Sequence, residues 1–177
     1  MSGHSKWAQI KYKKAATDAK RGKLFSKLAK AIIIAVKEKG ADAKINIKLA
    51  SAVEDAKNAN MPNENIERAI KRASEKDASE LKEVLYEAYG PGGSALVIEA
   101  VTNNSNRTTN EIKHVLSEHG GKLGTQGSAM WAFTKQEKEY VPNFPMELSP
   151  NENKQFESLL EALDNQEDTQ EVYSNIK

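Results

Sequence analysis

The chain has 177 residues, 38% of them hydrophobic, enough to bury one moderate core or two small ones. It contains no cysteine, which excludes a disulfide framework, a thiolate zinc site and thiol catalysis, and fits a reducing, cytoplasmic setting. The net charge of +1 conceals a division: residues 1–80 carry 18 basic and 10 acidic side chains (+8), whereas residues 81–177 carry 8 and 15 (−7), which predicts a basic domain followed by an acidic one.

The first forty residues hold 11 Lys and Arg against Asp18 and Glu38 alone, a local net of +9. "KWAQIKYKKAATDAK" offers only Trp7 and Ile10 as large anchors, so this opening is expected to be mobile until it meets a partner. No long apolar stretch follows it, and "AIIIAV" (31–36) is far too short to span a bilayer, so neither secretion nor membrane insertion is expected.

Over 23–39, Leu24, Leu28, Ala31, Ile32, Ala35 and Val36 follow one helical face, with Lys23, Lys27, Lys30 and Lys37 on the other side and Gly40 as the stop. A second helix is predicted over 42–58, burying Ile45, Leu49, Ala52, Val53 and Ala56, and "NANMPN" (58–63) breaks it. A third starts from Asn63 as cap and runs through Ile66, Ala69, Ile70 and Ala73. Three short, Ala-rich helices of this kind can pack into a bundle.

Past residue 80 the pattern changes. A helical turn near 81–89 leads through "GPGG" (90–93) into "SALVIEAV" (94–101), which reads as a buried strand. A polar loop and a helix over 107–118 follow, ended by Gly120 and Gly121. "AMWAFTK" (129–135) is strand-like, and "EYVPNFPMEL" (139–148) is extended, its two prolines placing it at an edge and arguing against self-pairing, so a monomer is favoured. Ser149 as cap and Pro150 at the first helical position open a helix over 149–165 that faces Phe156, Leu159, Leu160 and Leu163 inward; "EVYSN" (171–175) is a last strand. The order β-α-β-β-α-β predicts a ferredoxin-like domain, so the fold class is α+β: a three-helix domain over 1–80, then a ferredoxin-like domain over 81–177.

Catalytic signatures are missing. His4, His114 and His119 lack the partners a catalytic or metal site requires, and no HExxH, GxSxG or Walker sequence occurs. No catalytic residue, metal, cofactor or small-molecule substrate is therefore expected. Arg107, at the start of its helix, is a candidate secondary anion contact, although turn and cap chemistry accounts for its loop equally well.

The basic opening is the strongest functional signal. Lys6, Lys11, Lys13, Lys14, Lys20, Arg21, Lys23, Lys27 and Lys30 outnumber any local acids, and interleaved Trp7 and Tyr12 could stack on bases. These residues are the expected nucleic-acid contacts. A solvated arm is the bland alternative, and a membrane-surface helix would need a wider apolar face.

Those same residues carry a resemblance. "GHSKWAQIKYKKAATDAKRGKLFSKL" is similar to the opening of the YebC/PmpR family, which includes the mitochondrial translational activator of cytochrome oxidase. "NANMPNENIERAIKRA" (58–73), the stretch "YEAYGPGGSALVIEAVTNNSNRTTNEIKHVLSEHGGKLGTQGSAMWAF" (86–133) and "DTQEVYSN" (168–175) resemble its further signatures. The resemblance implies a non-enzymatic regulator of gene expression: a ribosome-associated translation factor that relieves stalled ribosomes, with ribosomal RNA as partner, or, alternatively, a regulator of transcription that binds double-stranded DNA. Longer members carry a third domain inserted after the segment matching "WAFTK"; here "FTKQEKEYVPNFPMELSP" passes directly to the returning strand and helix, so that domain is expected to be absent.

Overall fold

The computed structural model describes residues 3–13 and 17–177. In chain order its elements are helix α1 (Gly3–Lys13), α2 (Asp18–Lys39), α3 (Ile47–Asn58) and α4 (Asn63–Arg72), strands β1 (Lys82–Tyr89) and β2 (Ala95–Thr102), α5 (Ser105–Glu118), β3 (Lys122–Leu123), β4 (Phe133–Gln136), β5 (Glu139–Pro142), α6 (Pro150–Asn165) and β6 (Thr169–Ser174). They form two compact units, one of helices α2 to α4 and one built on the sheet. Among the described residues no helix is long and apolar enough to cross a membrane.

In the helical unit, the side chain of Thr17 accepts the Lys20 N–H to start α2, and Gly40, at φ 91°, ends it. Leu24, Leu28, Ile32 and Ala35 recur at helical spacing and bury against Leu49, Ala52 and Ala56 of α3 and Ile66 and Ala69 of α4. The helix expected over 42–58 begins only at Ile47, because Asn46 is its cap. That side chain is fully buried: its Oδ1 accepts the Leu49 N–H at 3.1 Å and its Nδ2 donates to the carbonyls of Ala35 and Gly40, each at 2.8 Å. The cap turns Ile45 outward, 75% exposed, instead of into the core. Lys37 Nζ closes the far end of the unit by donating to the carbonyls of Ala78, Ser79 and Leu81 at 2.7, 3.2 and 2.9 Å.

The second unit has a four-stranded sheet in the order β3-β1-β2-β6, with β1 antiparallel to β3 and β2 antiparallel to β6. Leu96, Ile98 and Ala100 of β2 share one face with Tyr86, Ala88 and Val172, beneath Ile112 and Leu116 of α5 and Phe156, Leu159, Leu160 and Leu163 of α6. Ala95 and Val97 point the other way and meet Tyr173, Ala129, Ala132 and Phe133. Cover on both faces is why β2 reads as a continuous apolar run rather than an alternating one.

The α+β class is as expected, and α6 starts with a full capping box between Ser149 and Glu152 behind Pro150. The order of elements is different. Residues 82–89 form a strand instead of a helical turn, since Val84, Tyr86 and Ala88 alternate into the core with period two. The chain thus runs β-β-α-β before α6 and β6. Strands β4 and β5 pair in a separate hairpin, Gln136 opposite Glu139, with Glu137 at φ 50° in its two-residue turn.

Candidate nucleic-acid interface

Helix α1 groups with the sheet unit rather than with the basic helices, and it is not a free arm. Its His4, Trp7 and Lys11 lie at i, i+3 and i+7, one face, and that face is docked against β6 and α6. Trp7 is 0% exposed within the core of α5, α6 and the sheet, with Ile10 packed beside it. The His4 ring stacks on Tyr173 with centroids 4.5 Å apart, and its Nε2 lies 3.2 Å from Glu171 Oε2. Lys11 Nζ donates to Glu171 Oε1 and to the Gln170 carbonyl, both at 3.1 Å. Burial pushes the Glu171 carboxyl up, yet His4 and Lys11 outweigh it and hold the group below the ordinary glutamate range.

These contacts correct the expected site. Trp7 presents no open face to a base, because it is core, and Lys11 is buried against a carboxylate of its own chain. Lys6 is partly drawn in as well, its Nζ 3.4 Å from both Asn153 Oδ1 and Glu157 Oε1. Tyr12 is 41% exposed, with Lys11 Nζ 5.6 Å from its ring centroid. The side chain of Lys13, and Lys14 altogether, lie outside the described residues.

Helix α2 carries the remaining candidates. It holds seven basic residues, Lys20, Arg21, Lys23, Lys27, Lys30, Lys37 and Lys39, against Asp18 and Glu38, a net of +5. Lys27 is 2% exposed, between Leu24 and Leu28, and so leaves the expected stripe; Lys30 is half-buried. The opening turns are different: every residue over 17–23 is exposed. Arg21 pairs with Asp18 there, while Lys20 and Lys23 have no acidic partner among the described residues. The structure thus gathers Lys20, Arg21 and Lys23 into one solvent-facing basic turn.

Arg107 is not available as an anion contact. Its guanidinium donates to Asp168 at 2.9 Å and faces Glu167 at 3.4 Å and Glu111 at 3.9 Å, and the Asp168 hydrogen bond holds its proton more tightly than usual. Asp168 is fully buried and also accepts from Thr108 and Gln166, which makes this cluster a lock between α5 and the start of β6. His114 sits on the surface 3.3 Å from Glu118.

One organised loop escaped the sequence. Glu87 is 7% exposed and its carboxylate accepts the N–H groups of Gly127, Ala129 and Met130 at 2.6, 3.1 and 2.6 Å. Burial raises this carboxyl, but the three N–H donors prevail and hold it below its ordinary value. Within "KEVLYEAY" nothing sets Glu87 apart from Glu83, since its role depends on a loop forty residues away.

Two family models match the chain: "TACO1/YebC protein N-terminal domain" over residues 5–76, and "TACO1/YebC second and third domain" over residues 81–138 and 134–176. A probable transcriptional regulatory protein of Thermoanaerobacter pseudethanolicus is 55% identical over 136 residues, covering 76% of this chain and 55% of its own. Another, from Halothermothrix orenii, is 48% identical over 165 residues, covering 93% of this chain and 63% of its own. The chain therefore spans between half and two thirds of the length of these curated relatives. The crystal structure of a conserved hypothetical protein from Aquifex aeolicus matches with a TM-score of 0.83 at 33% identity, over 97% of this chain and 96% of that one.

Proposed function

This chain belongs to the TACO1/YebC family, and from that premise we propose that it is a nucleic-acid-binding regulator of gene expression, not an enzyme, that docks on double-stranded DNA to control transcription. The observation that carries the reading is the exposed basic turn of Lys20, Arg21 and Lys23 at the head of α2. Three cations within one turn suit phosphate contacts, which set affinity and register without reading sequence. The names of the relatives, as probable transcriptional regulatory proteins, favour DNA over the ribosome. Tyr12 of α1, 41% exposed, adds a stacking residue, and a monomer in the cytoplasm is the working form.

A ribosome-associated role in translation is the second reading, favoured by one observation: the exposed turn has no Asn or Gln to read base edges, so its contacts fit folded ribosomal RNA as well. The two readings separate in one experiment. Chromatin capture and sedimentation are run on the same lysate at near-physiological salt, beside a variant carrying Lys20→Glu and Lys23→Glu. Enrichment on discrete DNA sites, lost in the variant, supports transcription. Co-migration with ribosomes, lost in the variant, replaces it with translation, and indifference to the variant refutes α2 as the contact. For a purified duplex, each phosphate contact removed lowers the slope of log K against log salt by about 0.9.

A further inference from the structure

Trp131 and Phe144 are 59% and 62% exposed, yet the fold holds both in place. Their ring centroids are 6.1 Å apart with the planes inclined by 41°, so neither ring lies flat on the other. Buried Glu87 draws in the N–H groups of Gly127, Ala129 and Met130, the residues that lead into Trp131. The indole Nε1–H donates to the Ser128 carbonyl at 2.8 Å and lies 3.2 Å from the Tyr89 hydroxyl, which donates to the same carbonyl. The Asn143 N–H, on the Ala132 carbonyl at 2.8 Å, ties the segment before Phe144 to the one after Trp131. The one polar atom of the indole is therefore spent inward, and what faces solvent is π surface on a rigid mount.

A cation stands on the same side of the sheet. In the pairing of β1 with β3, Lys122 is opposite Tyr89 and Leu123 is opposite Ala88, and residues opposite each other share a face. Leu123 packs with Ala88 in the core beneath α5 and α6, whereas Tyr89 packs on the other face against the cluster that holds Ala129 and Ala132. Lys122 thus lies on the face of Tyr89; it is exposed and has no acidic partner among the described residues. Glu137 and Glu139 sit at the closed end of the β4–β5 hairpin, away from the open end where Trp131 and Phe144 stand.

We propose that Trp131 and Phe144 form a stacking seat for an unpaired base of a single-stranded nucleic acid, with Lys122 on its phosphate. The inference rests on the reading of the chain as a nucleic-acid binder and adds a contact that a fully paired duplex cannot make. Size selects this occupant over a protein surface. The exposed parts of the two side chains amount to roughly 250 Å², less than a third of the ~800 Å² that a stable protein partner covers. The rim is polar, with exposed Thr134 donating to Asn143 at 2.6 Å. Any base offers a π face to such a platform, and Lys122 supplies the charge complement that a neutral apolar partner would leave unused.

The test is fluorescence anisotropy of the full chain on a blunt DNA hairpin, the same hairpin with a short single-stranded thymidine tail, and an RNA counterpart with a uridine tail. The tail is expected to tighten binding by the wild type. Trp131→Ala should remove that gain, weakening the tailed complexes about tenfold while leaving the blunt hairpin unchanged, and Trp131→Phe should retain most of it. In a Trp7→Phe background the tail, and not the blunt hairpin, should quench Trp131 emission. Lys122→Gln should lower the slope of log K against log salt by about 0.7 on the tailed probe and preserve the quenching. A gain lost on DNA alone assigns the seat to single-stranded DNA, on RNA alone to RNA, and on both to their shared base chemistry. If Trp131→Ala keeps the gain while the Lys20→Glu, Lys23→Glu variant loses the hairpin, the seat is refuted and the α2 contact survives. If the gain depends on Trp131 while the lysine variant binds the hairpin as wild type does, the seat stands and the α2 contact falls. A tail that adds nothing to wild-type binding overturns the proposal, as does equal weakening of blunt and tailed probes by Trp131→Ala. Self-association of the purified chain that Trp131→Ala abolishes would give the seat to a second copy instead.

Discussion

Replacing Trp7 tests the docking of α1 most directly, because the sequence and the structure assign this side chain opposite roles. A tryptophan buries about 200 Å², and at about 25 cal/mol per Å² its removal forfeits roughly 5 kcal/mol. The indole Nε1–H, however, is buried without a hydrogen-bond acceptor among the described residues. Releasing that unmatched donor returns about 1–3 kcal/mol, so Trp7→Ala should destabilise the sheet unit by a net ~2–4 kcal/mol, at or below the usual span for such a truncation. Trp7→Phe removes the donor and keeps most of the apolar ring, so it should fall within ~1 kcal/mol of wild type. Urea titration followed by circular dichroism measures both. The chain has two tryptophans, and Trp131 is 59% exposed, so a Trp131→Phe background reports Trp7 alone. Its emission should be blue-shifted, shielded from acrylamide and unchanged by duplex DNA. Emission typical of water, or quenching when nucleic acid is added, would refute the docked helix and restore Trp7 as a stacking residue.

Two further outcomes follow from buried carboxylates. Glu87→Gln turns an amide NH₂ toward three N–H donors, and the lost acceptor should cost ~2–3 kcal/mol. Because the folded-state pKa of Glu87 is depressed, its contribution is complete above the unfolded value of about 4.3 and is lost as pH falls through the lower folded value; an acid melt of Glu87→Gln should lack that component of the pH dependence. Glu171→Gln strips the charge partner from His4 and from buried Lys11. With the Glu171 side chain 31% exposed, the discounted penalty is ~1–3 kcal/mol, read as faster hydrogen exchange of the α1 amides. The Glu171 carboxyl is likewise depressed, so acidification below about 4.3 should lower the protection of the α1 amides in the wild type and leave the variant's protection, corrected for the intrinsic pH dependence of exchange, unchanged. Exchange unaltered by the substitution would show that packing of Trp7 alone holds α1.

What could be read from the sequence was what neighbours in the chain decide. The apolar spacing of α2, the Ser149 cap with Pro150 that opens α6 and the buried apolar run of β2 depend on residues within a few positions of one another, and each appears as expected. The turn misread over 82–89 contains Glu, Leu and Ala, all good helix formers. Tertiary pairing overrode that preference, and the alternation of Val84, Tyr86 and Ala88 was the signal to weigh more heavily. Asn46 shows the same limit at a helix start, since its two donated bonds reach carbonyls on the preceding helix and the loop after it.

The burial of Trp7 and Lys11 within the basic opening escaped the sequence for a related reason. A count of lysines measures charge, but whether a lysine faces an external phosphate depends on which acids fold back onto it. Lys11 meets Glu171 across 160 positions, and Lys6 meets Glu157 across 151. Arg107 is quenched in the same way by Asp168, 61 residues on. No window of sequence contains those partners. What survives folding is the exposed stretch 17–23 at the head of α2, where Asp18 pairs with Arg21 while Lys20 and Lys23 have no acidic partner among the described residues. The division of the chain into basic and acidic halves is then not simply a binding half and a solubilising half. Part of the acidic half neutralises part of the basic one through α1, and the basic surface left exposed is smaller than the charge total implies.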